Sequence, residues 1–125
     1  MAGGKVLIID DNKTILEMFE IGLEKNGYEV VIAVDGTLGM KMFQDEQPDI
    51  VIVDIAMPGV DGYQVIEEIR EADEAADGHT PVVVLTAHQQ NAMRDYAKEL
   101  GVDRYLTKPI TIGDFIKELN SLLED

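Results

Sequence analysis

The chain has 125 residues, of which 46% are hydrophobic and 28% charged, a composition that suits one globular core and excludes a disordered chain. Twenty-five acidic against ten basic side chains leave a formal charge of -15, which repels phosphate backbones and anionic lipid and argues against direct binding of nucleic acid or membrane. With no cysteine there is no disulfide framework, thiolate nucleophile or zinc-thiolate site, so catalysis or metal binding must use oxygen and nitrogen.

Met1 to Lys5 lead into only four strongly apolar residues, Val6-Leu7-Ile8-Ile9, before Asp10 and Asp11. That run is too short for the apolar part of a signal peptide or for a membrane span, and a cytoplasmic location is the expectation. It reads instead as a first strand. Ile15, Leu16, Phe19 and Leu23 then follow helical spacing up to the stop at Asn26-Gly27. Val30 to Val34 form a second β-branched run, followed by a helix marked by Leu38 and Met42 that ends near Pro48. Ile50 to Val53 form a third strand, and Val65, Ile66 and Ile69 mark a third helix running toward Ala75 to Gly78. Between them, Asp61-Gly62 reads as a turn. Glu67, Glu68, Glu71, Asp73 and Glu74 read as that helix's solvated face. Val82 to Leu85 form a fourth strand, with Met93, Ala97 and Leu100 marking a helix closed by Gly101. A weaker fifth strand, Asp103 to Thr107, precedes a last helix through Ile112, Phe115, Ile116, Leu119, Leu122 and Leu123. Thr111, with Asp114 three residues on, supplies a capping-box-like start. Met18, Met40, Met42 and Met93 fall within helices and read as core or edge packing.

Runs of β-branched residues without polar alternation are what parallel strands covered on both faces show. Five strand-helix units therefore predict one α/β domain over 1–125: an open, five-stranded parallel sheet, doubly wound by helices on both faces. In such sheets ligands bind outside the carboxyl ends of the strands. Those ends deliver Asp10 and Asp11, Asp54, Thr86, and Lys108 followed by Pro109. Each has a plain structural explanation: Asp10-Asp11-Asn12 as a helix cap, Asp54 as a turn residue, Thr86 as a cap for the fourth helix, Lys108 as a solvated loop residue, Tyr105 as core. Together they favour function, because chance would rarely end four strands in this set. Three neighbouring carboxylates need a cation, and an all-oxygen site suits Mg²⁺. A carboxylate beside a metal, a lysine and a hydroxyl is equipped to accept a phosphoryl group.

At these residues the chain resembles the receiver domain of bacterial two-component response regulators, and is similar to stand-alone chemotaxis and sporulation receivers. The matching segments are Val6 to Asn12, Ile50 to Gly62, Val83 to Ala87 and Tyr105 to Pro109. The resemblance implies a flavodoxin-like strand order 2-1-3-4-5. It implies Asp54 as phosphoacceptor, with Asp11 a direct and Asp10 a mostly water-mediated Mg²⁺ ligand, and the Ala56 backbone carbonyl and Asp54 completing the metal's protein ligands. Lys108 would pair with the phosphoryl group, Thr86 would hydrogen-bond to it, Pro109 would follow a cis peptide, and Tyr105 would be the switch aromatic. Ala56 and His88 would tune water access. The implied partners are a histidine kinase or histidine phosphotransfer protein, and a downstream protein target bound through the fourth helix, fifth strand and fifth helix by a monomer or an activation-dependent dimer. Such a chain catalyses only its own phosphorylation and dephosphorylation at Asp54.

Three other readings compete. The chain could be the amino-terminal receiver of a larger transcription factor or hybrid kinase. A phosphatase or phosphotransferase using an aspartyl phosphate would, by resemblance, carry a second acid two residues after the nucleophile, where this sequence has Ala56. A flavin-binding electron carrier lacks its phosphate-cradling loop here, since Asp10 and Asp11 follow strand one and would repel the flavin phosphate.

Overall fold

In the computed structural model, which describes residues 4–123, strands and helices alternate along the chain. The strands are β1 (Lys5–Ile9), β2 (Glu29–Ala33), β3 (Ile50–Val53), β4 (Val82–Thr86) and β5 (Arg104–Thr107). The helices are α1 (Lys13–Lys25), α2 (Gly36–Glu46), α3 (Gly62–Ala76), α4 (Asn91–Glu99) and α5 (Ile112–Leu123). Every ladder is parallel and the order is β2-β1-β3-β4-β5, the doubly wound flavodoxin-like sheet that the sequence led us to expect.

Successive side chains of a strand point to opposite faces, and here both faces are covered. Val6, Ile8, Ile50, Ile52, Val83 and Leu85 enter one core with Leu16 and Phe19 of α1 and Phe115 and Leu119 of α5. Leu7, Ile9, Val51, Val53, Val82 and Val84 enter the other, against Val65, Ile66 and Ile69 of α3 and Ala97 of α4. This is why β1, β3 and β4 lack polar alternation: every position on them except Lys5 at the start of β1 is buried, and each large side chain contributes about 1.5–3 kcal/mol on burial. Phe19 and Phe115, with ring centroids 4.6 Å apart at 55°, tie α1 to α5 and add roughly 0.5–1.5 kcal/mol beyond area burial.

Four details depart from the sequence reading. β2 is an edge strand whose residues are mostly half-exposed, with only Ala33 buried; β-branching marks a strand but not its place in the sheet. Asp61 is the N-cap of α3, not part of a free turn: its side chain accepts from the Gln64 N–H while the Gln64 side chain accepts from the Asp61 N–H. Asp73 is not solvated. It is 9% exposed, and its carboxylate accepts from the Thr80 N–H and hydroxyl at 2.8 and 2.7 Å and from Arg70 at 2.8 Å. Met18 does not pack into the core; it is 54% exposed beside an equally exposed Ile21.

Candidate functional site

Strand register assembles the crevice. Ile9 and Val53 are direct partners across the β1–β3 ladder, so Asp10 and Asp54, one step beyond, leave the sheet side by side. Their backbones continue the ladders: Asp10 N–H donates to the Ala33 carbonyl and Asp54 N–H to the Ile9 carbonyl. Thr86 and Thr107 are partners across β4–β5, and the Lys108 N–H donates to the Thr86 carbonyl at 2.8 Å. Four neighbouring strands thereby place Asp10, Asp54, Thr86 and Lys108 along one edge.

Asp10 and Asp54 are 3% and 7% exposed. Each carboxylate is held by its own loop: Asp10 Oδ1 accepts from the Asn12 N–H at 2.9 Å, and Asp54 Oδ1 from the Ala56 N–H at 3.0 Å. The two Oδ2 atoms are left for Lys108, whose Nζ lies 2.7 Å from Asp10 and 3.1 Å from Asp54. The Lys108–Pro109 peptide is cis. Asp11 is exposed, and one carboxylate oxygen from each of Asp10, Asp11 and Asp54 lies within 4.8 Å of the others.

The electrostatics follow from this sharing. Burial raises the Asp10 carboxyl above its ordinary value, against the pull of Lys108 and the Asn12 N–H. Burial also works against the Lys108 charge, but the hydrogen bonds it donates to Asp10 and Asp54 outweigh it and the ammonium titrates above its ordinary value. Three carboxylates against one ammonium leave two formal negative charges on all-oxygen donors. That donor set fits Mg²⁺, a hard divalent cation held by carboxylates with carbonyl or water oxygens.

The plain explanations sort cleanly. Asn12, not Asp10 or Asp11, caps α1, accepting from the Ile15 N–H. Thr86 is fully buried and is not the α4 cap, which falls at Gln90 without a side-chain bond. Lys108 is half-buried and paired instead of solvated. Tyr105 is half-buried and packs against the second core, but its hydroxyl donates to the His88 carbonyl at 2.9 Å, and the Arg94 guanidinium lies 5.0 Å from its ring centroid. Thr86 Oγ1 accepts from the His88 N–H at 3.4 Å. Thr86 and Tyr105 are therefore joined through the backbone of His88, a link that no sequence pattern reveals. Ala56 is exposed at the crevice, presenting its N–H to Asp54.

A doubly wound parallel sheet with acids and one lysine gathered at its carboxyl edge defines an α/β protein with an acidic crevice where such folds hold their ligands. The chain belongs to the response regulator receiver domain family of two-component signalling, whose model matches residues 6–120. It is similar to the chemotaxis protein CheY4 of Vibrio cholerae, at 30% identity over 98% of this chain and 100% of that one, with a TM-score of 0.89. A response regulator receiver domain protein of Clostridium thermocellum matches at 32% identity over 99% and 95% of the two chains, with a TM-score of 0.87. The receiver domain of Francisella response regulator 1452 matches at 30% identity over 97% of each, with a TM-score of 0.86.

Proposed function

We propose that this chain is a phosphorylation-activated receiver of a two-component phosphorelay, acting in the cytoplasm as one domain over 1–125. It takes a phosphoryl group onto Asp54 from a histidine kinase or histidine phosphotransfer protein. The observation that carries the reading is the bridging of Asp54 and Asp10 by Lys108 inside a cluster that includes Asp11. The Asp54 oxygen forms the new O–P bond as the P–N bond of a phosphohistidine donor breaks and its electron pair returns to the imidazole. Lys108, already against Asp54, follows the charge onto the phosphoryl oxygens, and the Ala56 N–H keeps the other carboxylate oxygen oriented. Asp10, Asp11 and Asp54, with the Ala56 carbonyl, would hold Mg²⁺, which when bound supplies positive charge to the phosphoryl oxygens. Thr86 hydrogen-bonds to the phosphoryl group, and the surface of α4, β5 and α5 changes for a downstream partner. The only bonds this chain makes and breaks are those at Asp54, because an exposed methyl group at Ala56 supplies no acid for turnover of external substrates.

The test is intact-mass spectrometry after incubation with Mg²⁺ and acetyl phosphate. One phosphate-sized increment is expected, lost in Asp54→Ala and in chelator; an increment that persists in Asp54→Ala moves the site elsewhere.

A further inference from the structure

Gly36 opens α2 in a backbone conformation that any residue could adopt; the positive φ values among the described glycines fall at Gly27, Gly59 and Gly101 instead. A glycine in a helix costs stability relative to alanine, so the missing side chain has another reason. A Cβ at Gly36 would stand 2.4 Å from the Val60 carbonyl oxygen, 2.8 Å from Val60 Cγ1 and 3.0 Å from its Cβ. The first of these is a backbone atom, which no rotamer change can move. Bare backbone at the start of α2 is thus the seat of Val60, near the end of the loop that joins β3 to α3.

That loop has few other holds. At one end the Ala56 N–H donates to Asp54 Oδ1 at 3.0 Å; at the other, the Asp61 N–H donates to Gln64 Oε1 at 3.0 Å and the Gly62 N–H to the Ile55 carbonyl at 3.4 Å. Between these, Met57 to Val60 are placed by packing, with no hydrogen bond of their own among the described residues. Met57 is buried in the second core and Pro58 and Gly59 are exposed, while the Gly59 φ of 77° turns the chain so that Val60 meets α2. Asp54 itself is fixed independently, because its N–H continues the ladder to the Ile9 carbonyl. The seat at Gly36 therefore governs the path of the loop after Asp54, and with it the Ala56 carbonyl, more than it governs Asp54.

We infer that Gly36 is a positioning residue for the acidic crevice: by seating Val60 on the bare first turn of α2, it holds the loop so that the Ala56 carbonyl can join Asp10, Asp11 and Asp54 around Mg²⁺. This inference rests on the proposed function and deepens it, since it names a residue outside the crevice that sets the affinity for the metal. Displacing the loop weakens the metal's hold, whereas the reaction of Asp54 once the metal is bound is left intact.

The experiment is a calorimetric Mg²⁺ titration of the full chain, followed by acetyl-phosphate labelling of Asp54 over a range of Mg²⁺ concentrations. Gly36→Ala is expected to bind Mg²⁺ about tenfold more weakly, the scale on which groups that orient a metal's ligands act. The Mg²⁺ needed for half-maximal labelling should rise by the same factor, while the rate at saturating Mg²⁺ returns to the parent's. The NMR amide signals of Ala56 and Val60 should move already in chelator. Gly39→Ala, further along α2, is the control: its Cβ would meet first the Ile9 side chain, at 2.6 Å, so it overpacks the same helix without touching the loop and should keep the parental Mg²⁺ affinity. Val60→Gly frees the loop from the other side without adding atoms, and should also weaken Mg²⁺ binding. Parental affinity in a folded Gly36→Ala, or in Val60→Gly should the first fail to fold, would overturn the inference, and so would an equal loss in Gly39→Ala. A parent chain that neither binds Mg²⁺ nor labels Asp54 removes the functional proposal and this inference with it; a parent that does both, beside a Gly36→Ala of parental affinity, removes only the role of Gly36.

Discussion

Lys108 Nζ and Asp54 Oδ2 lie 3.1 Å apart although 54 residues separate them in the chain, and the same ammonium reaches Asp10 at 2.7 Å. Lysine thus supplies one of the cations that the sequence shows the acids to need. The residual negative charge is what a divalent ion would answer.

Removing that ammonium leaves two buried carboxylates facing one another. Lys108→Met is expected to destabilise the protein in chelator by about 1–3 kcal/mol, the cost of stranding charged groups that have lost their donor. Mg²⁺ should then raise the melting temperature of the variant more than that of the parent, because it replaces the missing charge and binds only the folded state. Calorimetry with and without chelator makes the comparison. A variant as stable as the parent in chelator would show that Lys108 does not neutralise the crevice.

Gly62 begins α3 directly behind the loop that follows Asp54. A Cβ there would stand 2.4 Å from the Asp54 carbonyl oxygen and 2.6 Å from the Ile55 Cα, both backbone atoms that cannot swing aside. Gly62→Ala is expected to cost about 1–3 kcal/mol by overpacking, and to slow acetyl-phosphate labelling because the backbone that must yield carries Asp54. Gly113→Ala, whose Cβ meets nothing within 4 Å, should be neutral or stabilising by up to about 1 kcal/mol. Denaturant melts and labelling rates on both variants decide it; a Gly62→Ala protein with parental labelling would separate helix packing from the site.

The strand-helix alternation and the crevice were legible because they rest on features that repeat, uninterrupted β-branched runs and acids or a lysine at their carboxyl ends, whereas the strand order came only from the family resemblance. Asp73 was not legible, because a helix's charged face is read from residue type, and burial of one member depends on which loop folds back over it. The signal was present in Arg70, three residues before Asp73 and the only cation in a helix otherwise rich in acids. Asp61-Gly62 misled in the opposite way, since Asp before Gly serves a turn or a helix start equally well, and only the capping partner Gln64 distinguishes them. Met18 shows the limit of periodicity: it falls within a helix, but helical spacing does not say whether a neighbouring element covers that position, and here it is 54% exposed. The His88 link between Thr86 and Tyr105 runs through backbone groups, which every residue has.

The Asp73 cluster yields a pH dependence. Burial opposes the Asp73 charge, but the Thr80 hydrogen bonds and Arg70 outweigh it and hold the carboxyl below its ordinary value of 3.8. The unfolded chain therefore takes up a proton before the folded one does. The stabilisation is complete above that ordinary value and fades as pH falls through the lower folded one. Asp73→Asn should be about 1.5–3 kcal/mol less stable at pH 7, the range for hydrogen bonds to a charged group. That gap should shrink below pH ~4, while Asp54 labelling at the other edge of the sheet is unchanged. Denaturant titrations at several pH values follow it. A gap constant into acid would assign the effect to packing instead of charge.

The last prediction concerns the link from Thr86 to Tyr105. Thr86 is fully buried, its hydroxyl oxygen accepts only a long 3.4 Å bond from the His88 N–H, and Tyr105 closes the other side of the link at 2.9 Å to the His88 carbonyl. A phosphoryl group on Asp54 would offer that hydroxyl stronger acceptors than the shape of the resting loop provides. As Thr86 turns toward them, the His88 N–H loses its partner, the loop before α4 is freed to shift, and the Tyr105 hydroxyl loses the carbonyl that holds it. A single such exchange is worth about 0.5–1.5 kcal/mol, so it tilts the equilibrium without saturating it, and the phosphorylated protein samples both arrangements. Thr86→Ala should accept phosphate on Asp54 yet lose most of the response at Tyr105. Tyr105→Phe should loosen the loop from Ala87 to Gln90 even without phosphate. NMR spectra of parent and variants, each with and without beryllofluoride and Mg²⁺, report both. Should the parent's Tyr105 and α4 signals stay still on activation, the output surface lies elsewhere, with the loop from Met57 to Asp61 the next place to look.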